Sequence, residues 1–161
     1  MDNSLLTPQH FMKQALAEAK KAGTEGEIPI GAVIVRNGEI IAAARNMREK
    51  ENDATSHAEI IAIREAGKKI GSWRLSECDM YVTLEPCPMC AGALIQSRIR
   101  TLYYGASDPK AGAAGSVVNL LSIKDFNHKV DVIAGILEDE CASLLKEFFK
   151  DLRSARNPLG C

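Results

Sequence analysis

Two short motifs constrain this chain more than any other feature: His57-Ala58-Glu59, and Pro86-Cys87-Pro88-Met89-Cys90, whose first cysteine follows His57 by 30 positions. Each stands where a helix begins. Thr55 or Ser56 can open a helix running to about Gly67, and the small-residue apolar run from Cys87 to Ser97 suits a second one. Pro88 fits its first turn, where a missing backbone donor costs nothing. Helix starts carry partial positive charge and free N–H groups, so thiolates are stabilised there, and residues three apart share a face. One imidazole, two thiolates and a carboxylate make a metal site only if the two helices begin side by side. The fold must therefore bring both starts to one edge of a sheet.

The succession of elements allows this. Thr7-Pro8 signals a first helix, Phe11, Leu16, Ala19 and Ala22 keep its stripe, and Gly23 can end it. Residues 30–35 and 39–44 read as strands around Asn37-Gly38, a pair that supplies the positive φ angles of a two-residue hairpin turn. Beyond the second helix, residues 80–84 read as a buried strand and 101–105 as another, with the Cys87 helix between them. A Gly/Ala-rich loop over 110–115, a short apolar turn, a strand near 130–133 and a final helix over about 139–154 follow. Strands alternating with helices predict an α/β fold: a three-layer α-β-α arrangement on a central five-stranded mixed sheet, with parallel right-handed crossovers and one antiparallel edge hairpin. If strand 80–84 lies beside the hairpin, both motif-bearing helices begin at the same carboxyl end.

A chain of 161 residues, 46% hydrophobic and 25% charged, suits one domain over residues 1–161. The formal net charge of −1 supplies no global basic field, so a nucleic-acid partner must be held by a local patch. No apolar run approaches the roughly 20 residues of a bilayer span, and MDNSLLTPQH lacks the look of a secretory signal; no membrane and a cytoplasmic location are expected. Five cysteines, Cys78, Cys87, Cys90, Cys141 and Cys161, form an odd, irregular set that points away from a disulfide framework.

A lone C-x-x-C reads as a redox pair, half a zinc knuckle or a coincidence, and a lone His in a first turn as a solvated or capping residue. Joined, the motifs favour zinc on His57, Cys87 and Cys90, since a redox pair needs no His-x-Glu partner. Three protein ligands leave one coordination position for water, the mark of a catalytic site. A structural site needs a fourth ligand, for which Cys78 or Cys141 is the alternative, although Cys78 falls at the far end of its strand. Glu59, two residues from a ligand, is placed to carry protons for a metal-bound water.

H-A-E with P-C-P-M-C resembles the signature of the cytidine-deaminase-like zinc deaminases. The stretches EIPIGAVIV, YVTLEPCPMCAGALIQSRI, YYGASDPKAGAAGS and GILEDECASLLKEFF look like the bacterial tRNA-specific adenosine deaminases, and the likeness extends over most of residues 7–153. The family wording D-P-T-A-H-A-E is replaced by Asp53-Ala54-Thr55-Ser56-His57-Ala58-Glu59, with the reactive residues intact. The resemblance implies a cytidine-deaminase-like fold, one Zn2+ per chain, Glu59 as proton shuttle, and a homodimer. It also implies hydrolysis of adenosine to inosine at the wobble position of a tRNA anticodon stem-loop.

By the same resemblance, Asn46 holds the base and Ile30 and Leu84 wall the pocket, while Asp108, Lys110 and Asn127 lie in RNA-contacting loops. Lys146, Lys150, Arg153 and Arg156 recur at helical spacing around Phe149, a set suited to gripping phosphates and stacking a loop base; a solvated helix face is the alternative. Free-base deaminases acting on guanine or cytosine share the zinc signature, so the signature alone does not choose the substrate.

Overall fold

The computed structural model describes residues 7–156. Thr7 caps helix α1 (Pro8–Thr24), its hydroxyl accepting from the His10 N–H at 3.2 Å, and Pro8 occupies the first turn. The expected stripe is buried. Strands β1 (Gly31–Arg36) and β2 (Glu39–Arg45) then form the hairpin, with Asn37 at φ 51° and Gly38 at φ 77°. Short helix α2 (Arg48–Glu51), which no sequence signal predicted, precedes α3 (Ala58–Ile70). Helix α3 passes through Gly67 and stops at Gly71, whose φ of 71° supplies a left-handed cap. Strand β3 (Cys78–Leu84), helix α4 (Pro88–Gln96), strand β4 (Thr101–Ala106), strand β5 (Asp131–Ile133) and helix α5 (Glu138–Arg156) complete the described chain.

The sheet order is β2-β1-β3-β4-β5, the predicted five-stranded mixed sheet. Its antiparallel part is larger than an edge hairpin, because β1 also pairs antiparallel with β3, whereas β3, β4 and β5 are mutually parallel. The reason lies in β1 itself. Gly31 to Val35 are all buried, so the strand needs partners on both sides and a layer on each face. The pleat then sorts the side chains. Ala32, Ile34, Met80 and Val82 pack beneath α3 and α4, while Val33, Val35 and Tyr81 pack with Phe11 and Met12 of α1 and Cys141 of α5. These are the two helical layers of an α-β-α sandwich. Helix α1 lies so close that a Cβ on Gly31 would collide with the backbone of Ala15 and Ala19.

With β1 reversed relative to both neighbours, β2 and β3 run in the same direction and end at one sheet edge. Helices α3 and α4 begin at that edge. Among the described residues no helix is long and apolar enough to cross a membrane.

Candidate active site

His57 and Cys87 are the N-caps of α3 and α4, with extended backbones (ψ 153° and 174°), rather than members of the first turns as the sequence suggested. The shift is small and physical. Extended caps turn the chain out of the preceding loops, and Ala58 and Pro88 take the first helical positions. Glu59 and Cys90 do lie in the first turns.

The two caps converge. The His57 Nδ1 lies 3.7 Å from the Cys87 Sγ and 3.5 Å from the Cys90 Sγ, and the ligand atoms of the three residues all fall within 4.8 Å of one another. This group can hold a metal ion. Among the described residues no fourth donor joins it: Cys78 starts β3 at the opposite end of that strand, Cys141 is buried in the other helical layer, and Cys161 lies outside the described residues.

Electrostatics inside the cluster are uneven. A hydrogen bond from Cys90, followed in weight by opposing burial and then by His57, holds the Cys87 thiol down to about 4. The same contact and burial push Cys90 up. His57 is raised, chiefly by its contact with Cys87. Glu59 is only 4% exposed, and burial pushes its carboxyl up although the nearby His57 and Cys90 pull the other way.

The cluster opens into a cavity of about 730 Å³. Ile30, Asn46, Leu84, Asp108, Lys110, Lys146 and Phe149, seven of the eleven residues expected to contact substrate, line it together with His57, Glu59 and Cys87. Asn127 and Arg153 are exposed and outside this lining. Asn46 is buried and fixed: its side-chain N–H donates to the Ile28 carbonyl at 3.3 Å, and its Oδ1 accepts from the Arg48 N–H at 3.2 Å. Helix α5 supplies Leu145, Lys146 and Phe149, and the loop after β4 supplies Ser107 to Ala111. Where the family's proline is missing, side-chain bonds hold the approach loop. Asp53 Oδ1 accepts from the Thr55 N–H at 2.8 Å and its hydroxyl at 2.7 Å, and buried Ser56 donates to Glu51.

The sequence profile of the MafB19-like deaminase family matches residues 7–153. A tRNA-specific adenosine deaminase of Bacillus subtilis is 53% identical over 146 residues, covering 91% of each chain. One from Agrobacterium fabrum is 50% identical, over 89% of this chain and 95% of its own. The chain belongs to the tRNA-specific adenosine deaminase family. A solved structure from a study of A-to-I editing by tRNA:A34 deaminases at the wobble position of transfer RNA is similar to this deaminase with a TM-score of 0.82 at 51% identity, over 84% of this chain and 99% of that one. A guanine deaminase from Nitrosomonas europaea resembles the deaminase more distantly, with a TM-score of 0.75 at 26% identity, over 88% of this chain and 84% of its own.

Two buried carboxylates of this deaminase escaped the sequence reading. Glu27, 1% exposed, accepts from the N–H groups of Glu49 and Lys50 at 2.8 and 3.3 Å, which anchors α2 beside the cavity. Glu85, 2% exposed, lies between Leu84 and the turn that carries Cys87, and lines the cavity itself. The available signal was a glutamate between a buried strand and Pro86-Cys87, a place where a carboxylate needs a partner to be buried.

Proposed function

We propose that this deaminase, as a single catalytic domain, hydrolyses adenosine to inosine at the wobble position of a tRNA anticodon stem-loop, with one Zn2+ held by His57, Cys87 and Cys90. The observation that carries the reading is a three-ligand cluster beside a buried glutamate at the foot of a large cavity. Zn–S bonds of about 2.3 Å and Zn–N bonds of about 2.0–2.1 Å require tetrahedral S···N edges of roughly 3.6 Å. The observed 3.5 and 3.7 Å fit. Three protein ligands rather than four favour a catalytic over a structural ion.

When bound, zinc supplies Lewis-acid activation of water at neutral pH. The chain's own residues do the rest. Glu59, with its carboxyl raised by burial, takes a proton from the attacking water and delivers it to the ring nitrogen beside the amino-bearing carbon; it then takes the second proton, from the hydroxyl newly formed on that carbon, and delivers it to the amino group, which leaves as ammonia as the carbonyl forms. Water and adenosine enter; inosine and ammonia leave. Asn46 spends one amide N–H on Ile28 and one oxygen lone pair on Arg48, keeping a second donor and a second acceptor for a purine edge. Ile30 and Leu84 wall the base apart from bulk water, and Phe149 offers a face for stacking.

A loop substrate suits this surface better than a duplex, because an unpaired base is extruded at least cost and Lys110, Lys146 and Arg48 stand at the cavity for phosphates. Exposed Val117, Val118, Ile123 and Phe126 support the homodimer, whose association would cover them. We also propose a cytoplasmic setting, in keeping with a tRNA substrate. The deciding experiment compares an anticodon stem-loop with free adenosine, guanine and cytosine. Deamination of the stem-loop at the wobble adenosine, with the free compounds nearly untouched, is expected. Efficient turnover of guanine or cytosine with none on the stem-loop would overturn the reading.

A further inference from the structure

The Glu85 carboxylate is saturated by one loop. Its Oε1 accepts from the Asp108 N–H at 3.0 Å and from the Ser116 hydroxyl; its Oε2 accepts from the N–H groups of Ala114 at 3.0 Å and Ser116 at 3.1 Å. The next residue adds a fifth tie, as the Pro86 carbonyl accepts from the Ala113 N–H at 2.8 Å. Loop and carboxylate are packed in contact: a Cβ on Gly112 would strike the Glu85 carboxyl group. Within the loop, Asp108 Oδ1 accepts from the N–H groups of Lys110 and Ala111, and Asp108 and Lys110 line the cavity. A buried carboxylate with four donors is held far more firmly than a surface ion pair.

We infer that Glu85 is a positioning residue for substrate: from the turn that carries Cys87 it clamps the 107–116 loop, and so sets where Asp108 and Lys110 stand over the cavity. The inference rests on the proposed tRNA reading for the identity of the substrate, but not for the clamp. Glu85 touches neither the ligand cluster nor Glu59 in the hydrogen-bond network, so its loss acts on binding rather than on chemistry.

The test uses the full zinc-loaded chain carrying Glu85→Gln, which keeps the shape and replaces an acceptor with a donor facing N–H groups. Expected are a KM for the stem-loop raised about tenfold, kcat within about threefold of wild type, and unchanged zinc content. Amide exchange at Asp108, Ala114 and Ser116 should accelerate by about tenfold or more while β3 and β4 keep their protection. Ser116→Ala, which keeps the carboxylate, is expected to raise KM about threefold, and this effect should vanish in the Glu85→Gln background. It also carries the test alone if Glu85→Gln fails to fold. A fall in kcat at unchanged KM, loss of zinc, unchanged amide exchange, or an undiminished Ser116→Ala effect in the double variant would overturn the inference. If wild type leaves the stem-loop untouched while the amides respond as described, the substrate reading fails and the clamp stands; the KM split is then read on whichever base wild type deaminates.

Discussion

Glu59 and Asn46 are buried polar groups at the cavity, each with a proposed part in the reaction. Glu59→Ala should retain zinc, since the carboxylate is outside the ligand set, yet lose at least the roughly 10²- to 10⁴-fold expected of an acid-base group. Turnover and metal content measured on one preparation decide this; wild-type turnover would remove Glu59 from the proton path. Asn46→Ala deletes two hydrogen bonds and leaves the Arg48 N–H without its partner, whereas the Ile28 carbonyl keeps the Ile30 N–H at 2.8 Å; a loss of about 1–3 kcal/mol is expected, which urea unfolding should register together with a raised KM. Cys141 behaves differently because it is a bystander, buried and with its thiol pushed up to about 12 by burial. In the unfolded chain a thiol ionises near its ordinary value, whereas in the folded chain it stays neutral. The folded state thus binds more protons between pH 9.0 and about 12, and this group makes stability fall as pH rises through that window. Alkylation of Cys141 at pH 8 without denaturant should be slow and limited by opening of α5.

Among the elements, α1 and β1 depend on one glycine. Gly31→Ala would drive a methyl into the Ala15 and Ala19 backbone, and neither strand nor helix can yield without unpacking a layer, so a destabilisation of about 3 kcal/mol or more is expected by thermal or urea unfolding. An unchanged midpoint would show that α1 shifts freely over the sheet. Helix α5 poses the opposite question, because its outer face is exposed around Arg153 and its inner one reaches the cavity through Leu145 and Phe149. Arg153→Ala should weaken stem-loop binding without changing zinc content, and should reduce the log–log salt slope by about 0.7, the contribution of one single-strand phosphate contact. An unaltered slope would mark the C-terminal basic strip as a solvated face.

At the scale of the whole molecule, one ion would tie two helix starts contributed by segments 30 residues apart. Binding the native state and not the unfolded one stabilises it by mass action, so chelation should lower Tm and free zinc should restore it. X-ray absorption of the loaded protein should give two sulfurs, one nitrogen and one exchangeable oxygen; three or four sulfurs would mean a closed structural site.

The candidate metal-site residues and the types of nearly all the elements were legible in the chain's sequence, because the signals involved are local. Thr7-Pro8, Asn37-Gly38 and the period of each apolar face act within a few residues, and the spacing of His57, Glu59, Cys87 and Cys90 names a chemistry that few other arrangements use. Resemblance extended this to five cavity residues, Ile30, Asn46, Leu84, Asp108 and Lys110. Tertiary structure decided what local signals cannot. Pairing of β1 with β3 aligned the ends of β2 and β3, which is why the helix starts meet, and two free N–H groups of α2 are satisfied by Glu27, more than twenty residues earlier. Glu85 reads in sequence as an ordinary glutamate beside a motif; its partners lie 23 to 31 positions away. A buried charge is tolerated only where distant donors converge on it, and that convergence is a property of the folded sheet edge, absent from any short window of the chain.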